Sequence, residues 1–229
     1  MSVQFTWLGH SAFAVRIDGH PILFDPFLTG NPLASTTADR LDAEIIFLSH
    51  AHGDHLGDTI PIARRTGARV VANFEICNWM NANGVDNVHA QNPGGGWDHG
   101  FIHAKWTVAH HSSSFPDGTY GGQPNGFVLT TERGQRLYYA GDTALFSDMQ
   151  LIGTMGLDVA FLPIGDNFTM GPDDSIEAIH LLRPRFVVPM HYNTWDLIAQ
   201  DAGAWANRVS NETQAQPIVL DPGNSFTLP

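Results

Sequence analysis

An α/β fold of one domain, residues 1–229, is the prediction, with two sheets flanked by helices in four layers of order αββα. Three observations lead to it. Strand-like and helix-like patterns alternate over residues 44–81, and a second alternation runs over 159–220. Between them lies a block of alternating polar and apolar segments, enough β-structure for a second sheet. A hydrophobic content of 43% over 229 residues is sufficient for one substantial core.

The elements follow in chain order. Residues 3–8, 12–17 and 21–24 are short apolar segments, and Asp18-Gly19 between the last two reads as a hairpin turn. Residues 44–48, Glu-Ile-Ile-Phe-Leu, form an unbroken β-branched run expected of a strand covered on both faces. Helix at 58–65, strand at 69–72 and helix at 74–81 continue the alternation. Three successive glycines make 92–99 a loop, because glycine loses most entropy inside a regular element. Residues 101–109 alternate, with Ile102, Ala104, Trp106 and Val108 on one face. Strands at 127–131 and 136–140 flank Arg133-Gly134 as a hairpin. A strand at 159–162, helix at 173–182, strand at 186–189, helix at 195–209 and strand at 218–220 complete the chain, with no sequence repeat behind the recurring pattern.

Charge narrows the function. Asp and Glu outnumber Lys and Arg by 23 to 11, giving a net charge of -12, and Lys105 is the only lysine. Such a surface repels phosphate backbones, so no nucleic-acid partner is expected. Cys77 is the single cysteine, which excludes an intrachain disulfide and leaves His and carboxylate as the available metal donors. No basic leader and no run of 18 apolar residues is found, so the expectation is a cytoplasmic protein without a membrane partner.

The chemistry concentrates in Ser49-His50-Ala51-His52-Gly53-Asp54-His55, three imidazoles and a carboxylate directly after a buried strand. Strand ends in α/β proteins are where sites collect. In extended backbone His50 and His52 point the same way while Asp54 and His55 diverge, so one loop can serve two metals. In Ala140-Gly141-Asp142-Thr143 glycine permits close approach and the carboxylate emerges beside it; the competing reading is a helix cap before 145–152.

His50-x-His52-x-Asp54-His55 after a strand resembles the signature of the metallo-β-lactamase superfamily. Leu8-Gly9-His10-Ser11-Ala12-Phe13, Asp25-Pro26-Phe27 with Gly30-Asn31-Pro32, and Pro163-Ile164-Gly165-Asp166-Asn167-Phe168-Thr169-Met170-Gly171-Pro172 look like the branch of metal-dependent hydrolases related to L-ascorbate-6-phosphate lactonase. The resemblance spans nearly the whole chain. It implies a first ion on His50, His52 and His111, a second on Asp54, His55 and His191, and Asp142 shared by both. His110 is the alternative to His111; strand parity and the form Ala-x-His-Ser-Ser select His111. Zinc or manganese is expected, and nickel or iron suits the same donors.

Two such ions would acidify water, so no Ser or Cys nucleophile is needed. Asp54 could orient that water and take its proton. His10 could face the cavity or pack as a core histidine, Asp25 could orient a ligand imidazole or cap its turn, and Asn193 could polarise a substrate carbonyl or serve its own loop. The implied substrate is a small molecule, a polar ester or lactone, phosphorylated or not. A phosphodiesterase with the same dinuclear site is the rival, and a non-catalytic metal-binding scaffold is the alternative from another class. Related di-iron oxidoreductases carry Glu where His52 stands, which counts against that chemistry. Assembly of relatives admits a homo-oligomer.

Overall fold

The computed structural model describes residues 2–229. Its strands in chain order are β1 (Val3–Gly9), β2 (Ala12–Ile17), β3 (His20–Phe24), β4 (Ile45–Phe47), β5 (Arg69–Ala72), β6 (Val88–Ala90), β7 (Gly96–Asp98), β8 (Ile102–Val108), β9 (Asn125–Thr131), β10 (Arg136–Tyr139), β11 (Val159–Pro163), β12 (Phe186–Met190), β13 (Gln216–Pro217) and β14 (Ser225–Thr227). The helices are α1 (Gly53–Leu56), α2 (Thr59–Thr66), α3 (Phe74–Ala82), α4 (Met149–Gly153), α5 (Pro172–Leu182) and α6 (Ala202–Glu212). The chain divides into two compact units, Met1–Asn92 with Ser112–Pro124 and Leu220–Pro229, and Pro93–His111 with Asn125–Val219. Each unit holds one seven-stranded sheet.

In the first unit the sheet order is β14-β1-β2-β3-β4-β5-β6. The strands from β14 to β3 pair antiparallel and those from β3 to β6 parallel. β1, β3 and β4 therefore run the same way, and their C-terminal ends, which lead into His10, Asp25 and Ser49-His50, meet on one edge. Helices α2 and α3 cover one face, where Leu23, Ile46, Leu48, Val70, Ile62 and Met80 join one apolar cluster. The other face carries Phe5, Phe13, Phe24 and Phe47, all buried. Each such side chain taken from water contributes about 1.5–3 kcal/mol.

The second unit repeats this pairing scheme. Its order is β13-β12-β11-β10-β9-β8-β7, antiparallel from β7 to β10 and parallel from β10 to β13. β8, β10, β11 and β12 share a direction, so the residues after them, His111, Asp142 and His191 among them, gather at one edge. A line of rings runs across the sheet from Trp106 to Phe127, Tyr139 and Phe161 at centroid spacings of 5.6, 5.0 and 6.3 Å. Helix α5 starts on Pro172 with Asp173 and Asp174 in its first turn, where the helix dipole favours negative charge. Trp205 of α6 donates to Ser175 of α5 at 2.8 Å, which fastens the two helices.

Four expectations are corrected. The glycine stretch 92–99 contains β7: its backbone pairs with β8 at the sheet edge, and a Cβ on Gly96 would meet the His103 ring at 3.0 Å. The helix expected over 195–209 is a 3-10 turn at Asp196–Ile198 followed by α6, because Asp201 accepts from Ala204 N at 2.9 Å and restarts the helix. The helix expected at 145–152 begins only at Met149, so Asp142 does not cap it. The last parallel strand lies at Gln216–Pro217, while β6 and β14 are too short to show period-two patterning.

Gly57 ends α1 with φ 40°, and a Cβ there would lie 2.5 Å from Phe27 Cα and Pro26 O. Next to it Asp58 N donates to Pro26 O, and the Asp58 carboxylate accepts from Leu28 N, Thr29 N and the Thr29 hydroxyl. This contact ties the loop after β3 to the loop after β4. Gly57→Ala is expected to destabilise the protein by about 2 kcal/mol or more. A fall in the urea midpoint checks it, and an unchanged midpoint contradicts it.

Candidate metal centre

In the first unit the Asp25 carboxylate is fully buried and organises the strand-end loops. It accepts from Ser49 N at 2.8 Å and the Ser49 hydroxyl at 2.5 Å, and from His55 Nδ1 at 2.7 Å. The carboxylate can only accept, so the Ser49 hydrogen is committed to it. His50 Nδ1, 3.0 Å from Ser49 Oγ, must then be the donor in that pair. Both His50 and His55 are thereby held with Nδ1 protonated, which leaves each Nε2 as an acceptor nitrogen.

His50 Nε2 lies 3.0 Å from His52 Nδ1, and Ser112 Oγ stands 3.5 Å from the far nitrogen of His52. A divalent ion fits the junction at His50 and His52, where two imidazole nitrogens converge. On the other side of His55, His10 Nε2 is 3.3 Å from Asp54 Oδ2, with the His10 ring edge-on to His55 and Phe27. His10, Asp54 and His55 each bring a ligand atom within 4.8 Å of the others. His10 and Asp25 both adopt left-handed backbone, with φ 55° and 40°, directly after their strands. Such conformations cost about 1–3 kcal/mol each and cluster where a side chain must be presented at a sharp angle.

The second unit supplies the remaining candidates. Asp142, buried after β10, has Oδ2 3.0 Å from His191 Nε2 and 3.6 Å from His111 Nε2. His191 is likewise buried and left-handed, φ 55°, after β12. The structure turns His111 toward Asp142, while His110 is exposed, lies against Phe146 and uses its backbone on Thr143 and Ala144. Asn193 Oδ1 accepts from Gln200 N at 2.7 Å and Asn193 N donates to Ile198 O, so its side-chain oxygen shapes its own loop. Cys77 of α3 is buried, and burial pushes its thiol up to about 11.

The donor chemistry suits divalent ions. Buried imidazoles with fixed tautomers and buried carboxylates in short contact with them are arranged as ligands are, and a cation offsets the cost of burying the carboxylates. Ser49 is the contributor that motif reading misses, since a hydroxyl between two named residues carries no spacing signal. The clue was its position immediately before the first His.

Comparison with known proteins agrees with this chemistry. Residues 4–191 match the family model described as beta-lactamase superfamily domain. The chain is 48% identical to the UPF0173 metal-dependent hydrolase of Thermus thermophilus, covering 99% of each protein. It is 43% identical to the UPF0173 metal-dependent hydrolase of Pelotomaculum thermopropionicum, covering 99% of this chain and 100% of that one. The structure of Igni18, a metallo hydrolase from the archaeon Ignicoccus hospitalis, superposes with a TM-score of 0.92 at 37% identity, over 100% of this chain and 99% of that one. The chain belongs to the metallo-β-lactamase superfamily, and it is a metal-dependent hydrolase of mixed α/β fold. Among the described residues no helix is long and apolar enough to cross a membrane.

Asp25→Asn keeps the size but puts an amide where three donors now meet. Zinc affinity, measured by competition with a chromophoric chelator, is expected to fall about 10–100-fold. Wild-type affinity in that variant would contradict the role given to Asp25.

Proposed function

We propose that the protein hydrolyses a small polar ester or lactone, phosphorylated or not, with two divalent ions held by His50, His52, Asp54, His55, His111, Asp142 and His191. The observation that carries the reading is Asp142, whose Oδ2 lies close to both His111 and His191 Nε2, the nitrogens that the family pattern gives to different ions. His50, His52 and His111 would hold one ion and Asp54, His55 and His191 the other, with Asp142 shared. We treat residues 1–229 as one functional domain. Zinc and manganese head the list of ions, with nickel and iron suited to the same donors. Bound there, two divalent ions supply acidified water and offset the negative charge that develops on the oxygen under attack.

The side chains carry the remaining work. Asp54 orients the attacking water and takes its proton, with His10 Nε2 standing 3.3 Å from its Oδ2. Asp25 and Ser49 keep His50 and His55 in the ligating tautomer. Asn193, with its oxygen engaged by Gln200 N, has its amide nitrogen for a substrate oxygen. The lactone class follows from the likeness to L-ascorbate-6-phosphate lactonase, and a net charge of -12 disfavours a polynucleotide.

The test is turnover of a panel of sugar lactones, sugar phosphate lactones and phosphodiesters by protein reconstituted with zinc or manganese. Lactone hydrolysis is expected, falling at least about a hundredfold in Asp142→Ala. Hydrolysis of phosphodiesters alone would overturn the substrate class, and turnover that survives in the variant would overturn the ligand assignment.

A further inference from the structure

The chain from Ser112 to Pro124 forms a hairpin that packs on the loop bearing His50, His52, Asp54 and His55, within the first unit. Ser114 and Tyr120 bridge antiparallel, Phe115 N donates to Thr119 O, and Gly118 closes the turn on Phe115 O. It is anchored at both its base and its turn. Asn73, which caps α3 by accepting from Ile76 N, donates its amide hydrogens to Gly121 O at 2.8 Å and Gln123 O at 3.0 Å. The Trp79 ring stacks on Phe115 at 4.5 Å.

What this anchored hairpin presses against is Ala51, the residue between the two histidines. Ala51 is fully buried, and its N–H donates to Ser113 Oγ at 3.2 Å. A Cβ on Gly121 would lie 2.3 Å from Ala51 Cβ and 2.7 Å from Ser113 Oγ. Gly121 is not in the left-handed region, so space rather than backbone conformation requires glycine there. One residue along, a Cβ on Gly122 would lie 2.5 Å from Asn73 Nδ2, so the hairpin has little room to retreat.

We propose that this hairpin is a clamp that fixes the His50–His52 backbone, with Gly121 and Ser113 as positioning residues for the metal ligands. The inference rests on the reading of His50 and His52 as ligands. The clamp acts on Ala51 by shape and on the Ala51 amide by a hydrogen bond. A methyl at position 121 has to push Ala51 outward and turn both imidazoles with it. Removing the Ala51 methyl relieves the closer of the two contacts and leaves only the Ser113 hydroxyl to shift.

The experiment compares Gly121→Ala, the double variant Ala51→Gly/Gly121→Ala, Ser113→Ala and wild type. In metal-free protein, amide exchange at residue 51, read by NMR, is expected to speed up about tenfold or more in Gly121→Ala and in Ser113→Ala, and to return toward wild type in the double variant. Zinc affinity by chelator competition is expected to follow the same order, about 10–100-fold weaker in the two single variants and largely restored in the double. Ser113→Ala adds no atom, so it serves if Gly121→Ala fails to fold. Unchanged exchange in both single variants, or no restoration by Ala51→Gly, overturns the clamp. A wild type that shows the exchange pattern yet binds no zinc would sink the metal reading while leaving the clamp standing.

Discussion

The loop that carries His50, His52 and His55 depends on a carboxylate that has no access to water. Asp25 is buried at the end of β3, and an ionised carboxylate in such a place is tolerated only when hydrogen bonds replace its hydration. Ser49 and His55 provide them, and the consequence spreads outward. Ser49, once committed to Asp25, can only accept from His50, so one buried charge dictates the tautomers of two imidazoles. Neighbouring features serve the same end: Gly57 and Asp58 fasten the Asp25 loop to the His loop, and the hairpin beside Ala51 bears on that loop from another direction.

The second unit reaches a comparable result by other means. There Asp142 is the buried acid, and its partners are His111 and His191. Parallel and antiparallel pairing place three strand ends on one edge, and the left-handed turn at His191 aims its ring at Asp142. The two sheets thus share a scheme of pairing, with acids and imidazoles at like-directed strand ends, although no sequence repeat underlies it. Acids and imidazoles are the donors that hold a divalent ion, which is what a metal-dependent hydrolase requires.

Much of this was legible in the residues. Strands with β-branched or alternating patterns, such as β2, β4 and β8, announce themselves because both period and composition agree. His50 to His55 stand out because four donors in six residues are hard to explain otherwise. What escaped detection depended on partners that the local pattern does not show. β7 exists because Gly96 pairs with Lys105 across a turn that the glycine run masks, and β14 because Phe226 packs 5.6 Å from Phe5, far away in sequence. The break between Ile198 and α6 did have a local signal, Asp201 as a cap, which the longer apolar pattern masked. The roles of Ser49 and Gly121 are relations between loops, and no spacing rule encodes them.

The most direct measurement of the central claim is a crystal structure of the protein prepared with zinc, with anomalous diffraction collected on both sides of the zinc absorption edge. The account predicts anomalous peaks at the His50–His52 junction and beside Asp142, with His50 and His55 coordinating through Nε2. Peaks remote from these residues, or coordination of His50 or His55 through Nδ1, would contradict it.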